Sequence, residues 1–342
     1  MRATNTKYQT HFNQNSCKNN LKFEFKFFIS KDNHNIRWGY MPAVVVGEGD
    51  CKKRGIILLL NGRTEFMEKY NSIASKLASM GYDVMSLDWR GQGLSVRELL
   101  NRDKGYVKDF NLYISDLELF YNLYVLPHAI CSKLPITILA HSMGGHIALR
   151  FLSEHSKSRS FEADIKNAIL ISPMIDIITS PIKQNFANSF TDWASRQLAD
   201  LAIKFGFDRA YIPGGKDYSI KDIKFKDNPL TNDWDNFWLE HKEIAKNRNL
   251  ALGGVTWCWL KAAFDSIAIL NDKRYLASIK TPVWIFSAKE DSVVSNKAQK
   301  RACKIIQNGK FISIKKAKHE ILFETDEVRK GLWKKINSII LG

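Results

Sequence analysis

The run Ile136-Thr137-Ile138-Leu139-Ala140-His141-Ser142-Met143-Gly144-Gly145-His146-Ile147-Ala148-Leu149 constrains this chain more than any other stretch. A β-branched apolar segment stops at a serine framed by small residues, and helix-period spacing begins at once. That is a strand, a sharp turn and a helix, with the Gly-x-Ser-x-Gly pattern written as Ala140-x-Ser142-x-Gly144. So tight a turn needs small neighbours. It leaves the Ser142 hydroxyl at the end of a sheet strand with a helix N-terminus directly behind it. Backbone amides in that position can stabilise an oxyanion, by hydrogen bonding and through the positive end of the helix dipole. Ala140 stands where the pattern has glycine, and one extra methyl is tolerable if that residue keeps strand geometry. Taken alone, the five residues fit equally well a strand–helix turn that merely favours serine and glycine.

The rest of the chain supplies strands and helices in alternation. Residues 21–28 set Phe23, Phe25 and Phe27 against Lys22, Glu24 and Lys26, the period of a half-exposed strand. Asp32-Asn33-His34-Asn35 is turn chemistry, and a second strand at 36–41 completes an antiparallel hairpin. Residues 55–60 are a continuous apolar run of the kind buried on both faces of a parallel sheet, followed by a helix to about residue 80. A strand at 82–87, a helix over 107–124, the Ser142 strand and helix, and a strand at 168–171 continue the alternation. From 178 to 272 no buried strand is evident. Instead Phe186, Phe190, Trp193, Leu198, Leu201 and Phe205 fall near helical spacing, and Trp234, Phe237, Trp238, Trp257 and Trp259 follow. This is the core of a small helical subdomain, and part of it can also line an acyl-chain site over the serine. Strands at 282–286 and 310–314 and an amphipathic helix over 324–340 close the chain. The pattern predicts an α/β sheet with helices on both faces. Its divisions are a polar tail at 1–20, a core at 21–177, a helical insertion at 178–272 and the rest of the core at 273–342.

Composition narrows the class. With 342 residues, 45% hydrophobic and nine Trp, the chain can bury a large core and is not disordered. Its formal charge of +16 is spread along the sequence without a basic block or a nucleic-acid module, so nucleic acid is not an expected partner. A basic surface is still attracted to anionic lipid headgroups by about 1 kcal/mol per well-placed Lys or Arg, which makes peripheral membrane contact the expected use of the charge. The cysteines Cys17, Cys51, Cys131, Cys258 and Cys303 are odd in number and widely spaced, which fits a reducing compartment. The N-terminus is polar, and no run approaches the ~18 apolar residues of a spanning helix. A cytoplasmic protein, in peripheral contact with the inner face of the membrane, is the resulting expectation.

A serine hydroxyl needs a base, and the base needs an acid to orient it. When the serine sits on a strand–helix turn of this kind, acid and histidine follow in that order on loops after later strands. The loop after 282–286 offers Glu290 and Asp291, and the loop after 310–314 offers His319. His141 and His146 flank the serine too closely to serve and read as local packing or hydrogen-bonding residues. No His, Cys or carboxylate cluster has metal-ligand spacing, so no metal or cofactor is expected. Asp88-Trp89-Arg90-Gly91-Gln92-Gly93-Leu94-Ser95 lacks the lysine and spacing of a P-loop.

Five stretches in order carry a resemblance. They are Asn61-Gly62-Arg63-Thr64-Glu65-Phe66-Met67-Glu68-Lys69-Tyr70, Asp88–Ser95, Ala140-His141-Ser142-Met143-Gly144-Gly145, Gly253-Gly254-Val255-Thr256-Trp257-Cys258-Trp259-Leu260, and the Asp291 and His319 loops. Over about residues 20–340 the chain resembles the α/β-hydrolase superfamily, in its serine aminopeptidase and monoacylglycerol-lipase-like branch, nearest the bacterial lysophospholipases. The resemblance implies an α/β-hydrolase fold, with a mostly parallel sheet that starts antiparallel and a helical cap at 178–272. It implies Ser142 as nucleophile, His319 as base and Asp291 as orienter, with oxyanion donors at the Met143 and Arg63 amides. Asn61 stands where many relatives carry the histidine of a His-Gly pair, and Asp88–Ser95 is a structural brace. The implied activity is hydrolysis of a lipid ester, most specifically a lysophospholipid. A monoacylglycerol lipase or general carboxylesterase with the same triad, an acyltransferase, and a non-catalytic binding module are the rival readings.

Overall fold

The computed structural model describes residues 21–45, 53–155, 165–178 and 187–342, with side chains of 187–193 excluded. The expected tail at 1–20, Cys17, Cys51, Phe186 and the side chains of Phe190 and Trp193 therefore lie outside the described residues. The strands are β1 (Glu24–Ile29), β2 (Asn35–Met41), β3 (Gly55–Leu60), β4 (Tyr82–Leu87), β5 (Ile136–His141), β6 (Ile165–Ile171), β7 (Val283–Ala288) and β8 (Gly309–Ile314). They form one sheet in the order β1-β2-β4-β3-β5-β6-β7-β8. The β1–β2 and β2–β4 pairs are antiparallel and the others parallel, as the alternation predicts.

The helices are α1 (Asn71–Ser79), α2 (Asn111–Phe120), α3 (Leu126–Ser132), α4 (Ser142–His155), α5 (Ala187–Lys204), α6 (Trp234–Lys246), α7 (Trp257–Leu270), α8 (Lys273–Ala277), α9 (Asn296–Ile305) and α10 (Asp326–Leu341). Two apolar cores lie on opposite faces of the sheet. Ile56, Leu58 and Leu60 of β3 join the core that contains α2 and α4, whereas Ile57 and Leu59 join the one that contains α1 and α10. Successive side chains of a strand point to opposite faces, so an unbroken apolar run is what a strand covered on both sides requires. From β3 the sheet grows through β4 in one direction and through β5 in the other. The crevice outside the carboxyl ends of β3 and β5 is thus the topological switch point, where open α/β sheets place their ligands.

Three expectations need correction. Phe23 is buried as expected, but Phe25 and Phe27 are exposed, and within β1 only Phe28, on the opposite face, is buried, against Phe120. The outer Phe25 ring instead covers the Arg37 guanidinium, 4.4 Å away. The helix expected over 107–124 begins at Asn111 and continues through a π-helical turn at Tyr121–Val125 into α3. In the insertion, Leu198, Leu201 and Phe205 are exposed rather than core. The helix α5 packs on α7 through a neighbouring face, with Ala199 fully buried and Arg196 stacked 4.5 Å over Phe264. Small side chains allow that close approach, and the larger apolar ones are turned aside. Among the described residues no strand falls between β6 and β7, as expected, and no helix is long and apolar enough to cross a membrane.

Candidate active site

Ser142 follows the last residue of β5 directly and opens α4 with φ +49°, a left-handed backbone that a non-glycine residue adopts only under constraint. The surroundings impose that constraint. A β-carbon at Gly144 would lie 2.5 Å from the Asn61 carbonyl oxygen, and one at Gly145 would lie 2.8 Å from Pro173. Ala140 pairs in register with Leu60 and Leu170 inside the sheet, which is how its methyl is accommodated.

His319 Nε2 lies 2.9 Å from Ser142 Oγ, and His319 Nδ1 lies 2.8 Å from Asp291 Oδ2. The two residues reach Ser142 from loops after β8 and β7, across 177 positions of sequence in the case of His319. Asp291 Oδ1 accepts the backbone N–H groups of Val293 (2.9 Å) and Val294 (3.0 Å), and its side chain is 0% exposed. Glu290, the rival acid, is exposed. The His319 loop is seated by the insertion: Glu320 N donates to Leu230 O at 2.8 Å, and Thr231 Oγ1 donates to Phe323 O at 2.8 Å.

The flanking residues behave largely as read. His146 lies between Met174 O (2.8 Å) and Ser266 Oγ (2.7 Å), and burial pushes its pKa down to about 3. Asn61 Nδ2 donates to Leu87 O at 3.0 Å, turned into the loop after β4. Asp88 accepts Met67 N (3.0 Å) and Leu94 N (2.9 Å), and Gln92 donates to Gly62 O (2.7 Å), so the 88–95 segment braces the turn after β3. Arg63 projects toward the insertion. It donates to Gly253 O at 2.7 Å, its guanidinium lies 5.3 Å over Trp259, and burial lowers its pKa to about 10.

Sequence reasoning missed a buried ionic cluster next to this triplet. Lys69 Nζ lies 3.0 Å from Glu65, 3.0 Å from Glu240 of α6 and 2.7 Å from Glu320. Its side chain is 2% exposed, and the three carboxylates hold its pKa well above the ordinary lysine value despite burial. Glu65 and Lys69 stood in a quoted motif without a role. The only local signal was the i, i+4 spacing of Glu65 and Lys69, which surface pairs share.

Gly62 joins the two groups. A β-carbon there would sit 2.7 Å from Glu65 Oε2, 2.9 Å from His141 Nδ1 and 3.2 Å from Ser142 Cβ. Gly62→Ala is therefore expected to lower kcat by about 10²-fold, the usual cost of ~1 Å of misplacement at a reacting centre. Steady-state hydrolysis of a soluble ester checks this, and an unchanged kcat would show that the turn absorbs the methyl.

Residues 51–326 match the family described as "Serine aminopeptidase, S33". The chain belongs to this family. Among its relatives, lysophospholipase L2 of Escherichia coli K12 is 31% identical over 288 residues, covering 80% of this chain and 76% of that protein. The probable lysophospholipase L2 of Haemophilus influenzae is 28% identical over 90% of this chain and 89% of its own length. Among solved structures, a soluble variant of the Saccharomyces cerevisiae monoglyceride lipase, in complex with a substrate analog, superposes with a TM-score of 0.69 at 20% identity, covering 97% of this chain and 98% of that one. The fold is that of an α/β-hydrolase, and the family member described here is an enzyme of that class. Among the described residues no cluster of His, Cys, Asp and Glu is placed to hold a metal ion.

Proposed function

We propose that this lipid ester hydrolase releases a fatty acid from a lysophospholipid through an acyl-enzyme on Ser142. The observation that carries the reading is the hydrogen-bonded run from Asp291 through His319 to Ser142. In it Asp291 fixes His319 with the proton on Nδ1, leaving the Nε2 lone pair to accept the Ser142 proton as Oγ attacks the acyl carbonyl. The tetrahedral oxyanion is received by the backbone amides of Met143, at the start of α4, and of Arg63, which follows the glycine packed on Ser142. Collapse breaks the ester bond, and His319 returns its proton to the departing glycerol oxygen. Water then repeats the sequence at the acyl-enzyme, freeing the fatty acid and restoring Ser142. The insertion at 178–272 acts as a cap over this centre, and the exposed Leu198, Leu201 and Phe205 of α5 support contact with a lipid surface beside the basic charge. The names of the two bacterial relatives support the lysophospholipid over other single-chain esters.

The test is fatty-acid release from palmitoyl lysophosphatidylethanolamine and from monopalmitoylglycerol, with wild type and Ser142→Ala side by side. Higher kcat/KM on the lysophospholipid, absent in the variant, is the expected result. A preference for the glycerol ester moves the reading to a monoacylglycerol lipase, and release that persists in Ser142→Ala removes the nucleophile.

A further inference from the structure

His141 lies beside the triad without belonging to it, and both of its ring nitrogens face acceptors. Nδ1 is 2.9 Å from Glu65 Oε2, and Nε2 is 3.3 Å from the carbonyl oxygen of His319. A carbonyl oxygen has no proton to give, and a neutral imidazole carries only one N–H. Glu65 has no proton to give either. Its Oε2 also accepts the Gly62 N–H and, at 2.7 Å, the Tyr70 hydroxyl, while Oε1 lies 3.0 Å from the Lys69 ammonium. A carboxyl group with that many donors around it is a carboxylate. The ring therefore meets both neighbours only as an imidazolium, in a site where its side chain is 3% exposed.

We propose that His141 is a positioning residue of this centre: a fixed imidazolium whose Nε2–H pins the carbonyl of His319 and so holds the base in register with Ser142. The proposal rests on the reading of His319 as the base. The two rings are 4.9 Å apart between centroids, and the pinned carbonyl belongs to the residue whose ring faces Ser142.

The groups packed around His141 sustain its charge. Glu65, Lys69 and Tyr70 come from the segment between β3 and α1, His319 and Glu320 from the loop after β8, and Glu240 from α6. Burial opposes the charge and Lys69 repels it, yet the Glu65 carboxylate outweighs both, with Glu320 adding to it, and the pKa of His141 stands above its ordinary value. Asp291 meets His319 at Nδ1, the nitrogen turned away from Ser142. The Lys69 cluster also makes the arrangement sensitive to how α6 is seated, since Glu240 shares the ammonium that holds Glu65 and Glu320.

Two measurements test the proposal. In the first, kcat and KM for a soluble short-chain ester are compared in wild type and His141→Gln, whose amide is of similar size to the ring without its charge. The kcat is expected to fall by about 10²-fold with KM little changed, the usual cost of ~1 Å of misplacement at a reacting centre. An unchanged kcat, or a change confined to KM, overturns the proposal. The second measurement needs neither folding of that variant nor any turnover. In wild type with ¹⁵N-labelled histidine rings, one ring is expected to keep both N–H protons at pH 8 and to lose one in Glu65→Gln. No doubly protonated ring at that pH overturns the proposal while leaving the hydrolase reading intact.

Discussion

Asp291→Asn is expected to fold with a melting temperature near that of wild type and to lose about 10⁴-fold in kcat. The argument lies in which oxygen does what. Asp291 Oδ1 accepts two backbone N–H groups, from Val293 at 2.9 Å and Val294 at 3.0 Å. In the variant the amide oxygen takes that place, because those donors reject the NH₂ end. The NH₂ group is then left facing His319 Nδ1, where Oδ2 had been at 2.8 Å. Two donors cannot share that contact, so Nδ1 gives up its proton and Nε2 takes one. His319 now presents an N–H to Ser142 Oγ in place of a lone pair, in unchanged geometry, and cannot accept the serine proton. Steady-state kinetics on a soluble ester, paired with a thermal melt, separates this from unfolding. A loss below about 10-fold would mean that another group, such as Glu290, orients the histidine.

The parts of this molecule legible in its sequence are those where one local pattern answers to one physical demand. The continuous apolar runs of β3 and β5 are readable because a strand buried on both faces has no polar side to show. Ser142, Asp291 and His319 could be picked out as candidates because each follows a strand of the sheet, Ser142 at the start of α4 and the other two in loops. What stayed hidden depends on contacts made by distant segments. Phe25 reads like a core residue by alternation with the buried Phe23, yet β1 is an edge strand paired only with β2, and within it only Phe28 is buried. The large apolar residues of α5 have helical spacing, but whether Ala199 or Leu198 meets α7 is set by how closely the helices approach. The Lys69 cluster is the clearest case. Its partners stand 171 and 251 residues away in Glu240 and Glu320, and nothing in either neighbourhood marks them as more than surface glutamates.

That cluster carries the largest expected effect on stability. Lys69→Met is expected to cost about 3–5 kcal/mol at pH 8, because it strips the cation from buried carboxylates that stay in place. In wild type the folded pKa of Lys69 lies well above the unfolded value, through Glu320, Glu65 and Glu240 acting against burial. Its contribution is thus complete at every pH below the unfolded lysine range and fades only as the pH rises through the higher folded value. Neutral conditions show all of it. The variant reverses the dependence. Burial already holds the Glu240 carboxyl above its ordinary range, and without Lys69 nothing on its own side of the pair pulls it down. A carboxyl raised in the folded state binds more protons there than in the unfolded chain, so acidification stabilises the variant. Urea unfolding at pH 8 and pH 5 should therefore give a penalty that shrinks by at least about 1 kcal/mol toward the lower pH, one pKa unit of relief being worth ~1.4 kcal/mol. An equal penalty at both values would mean that the methionine repacks the site and the carboxylates escape to water.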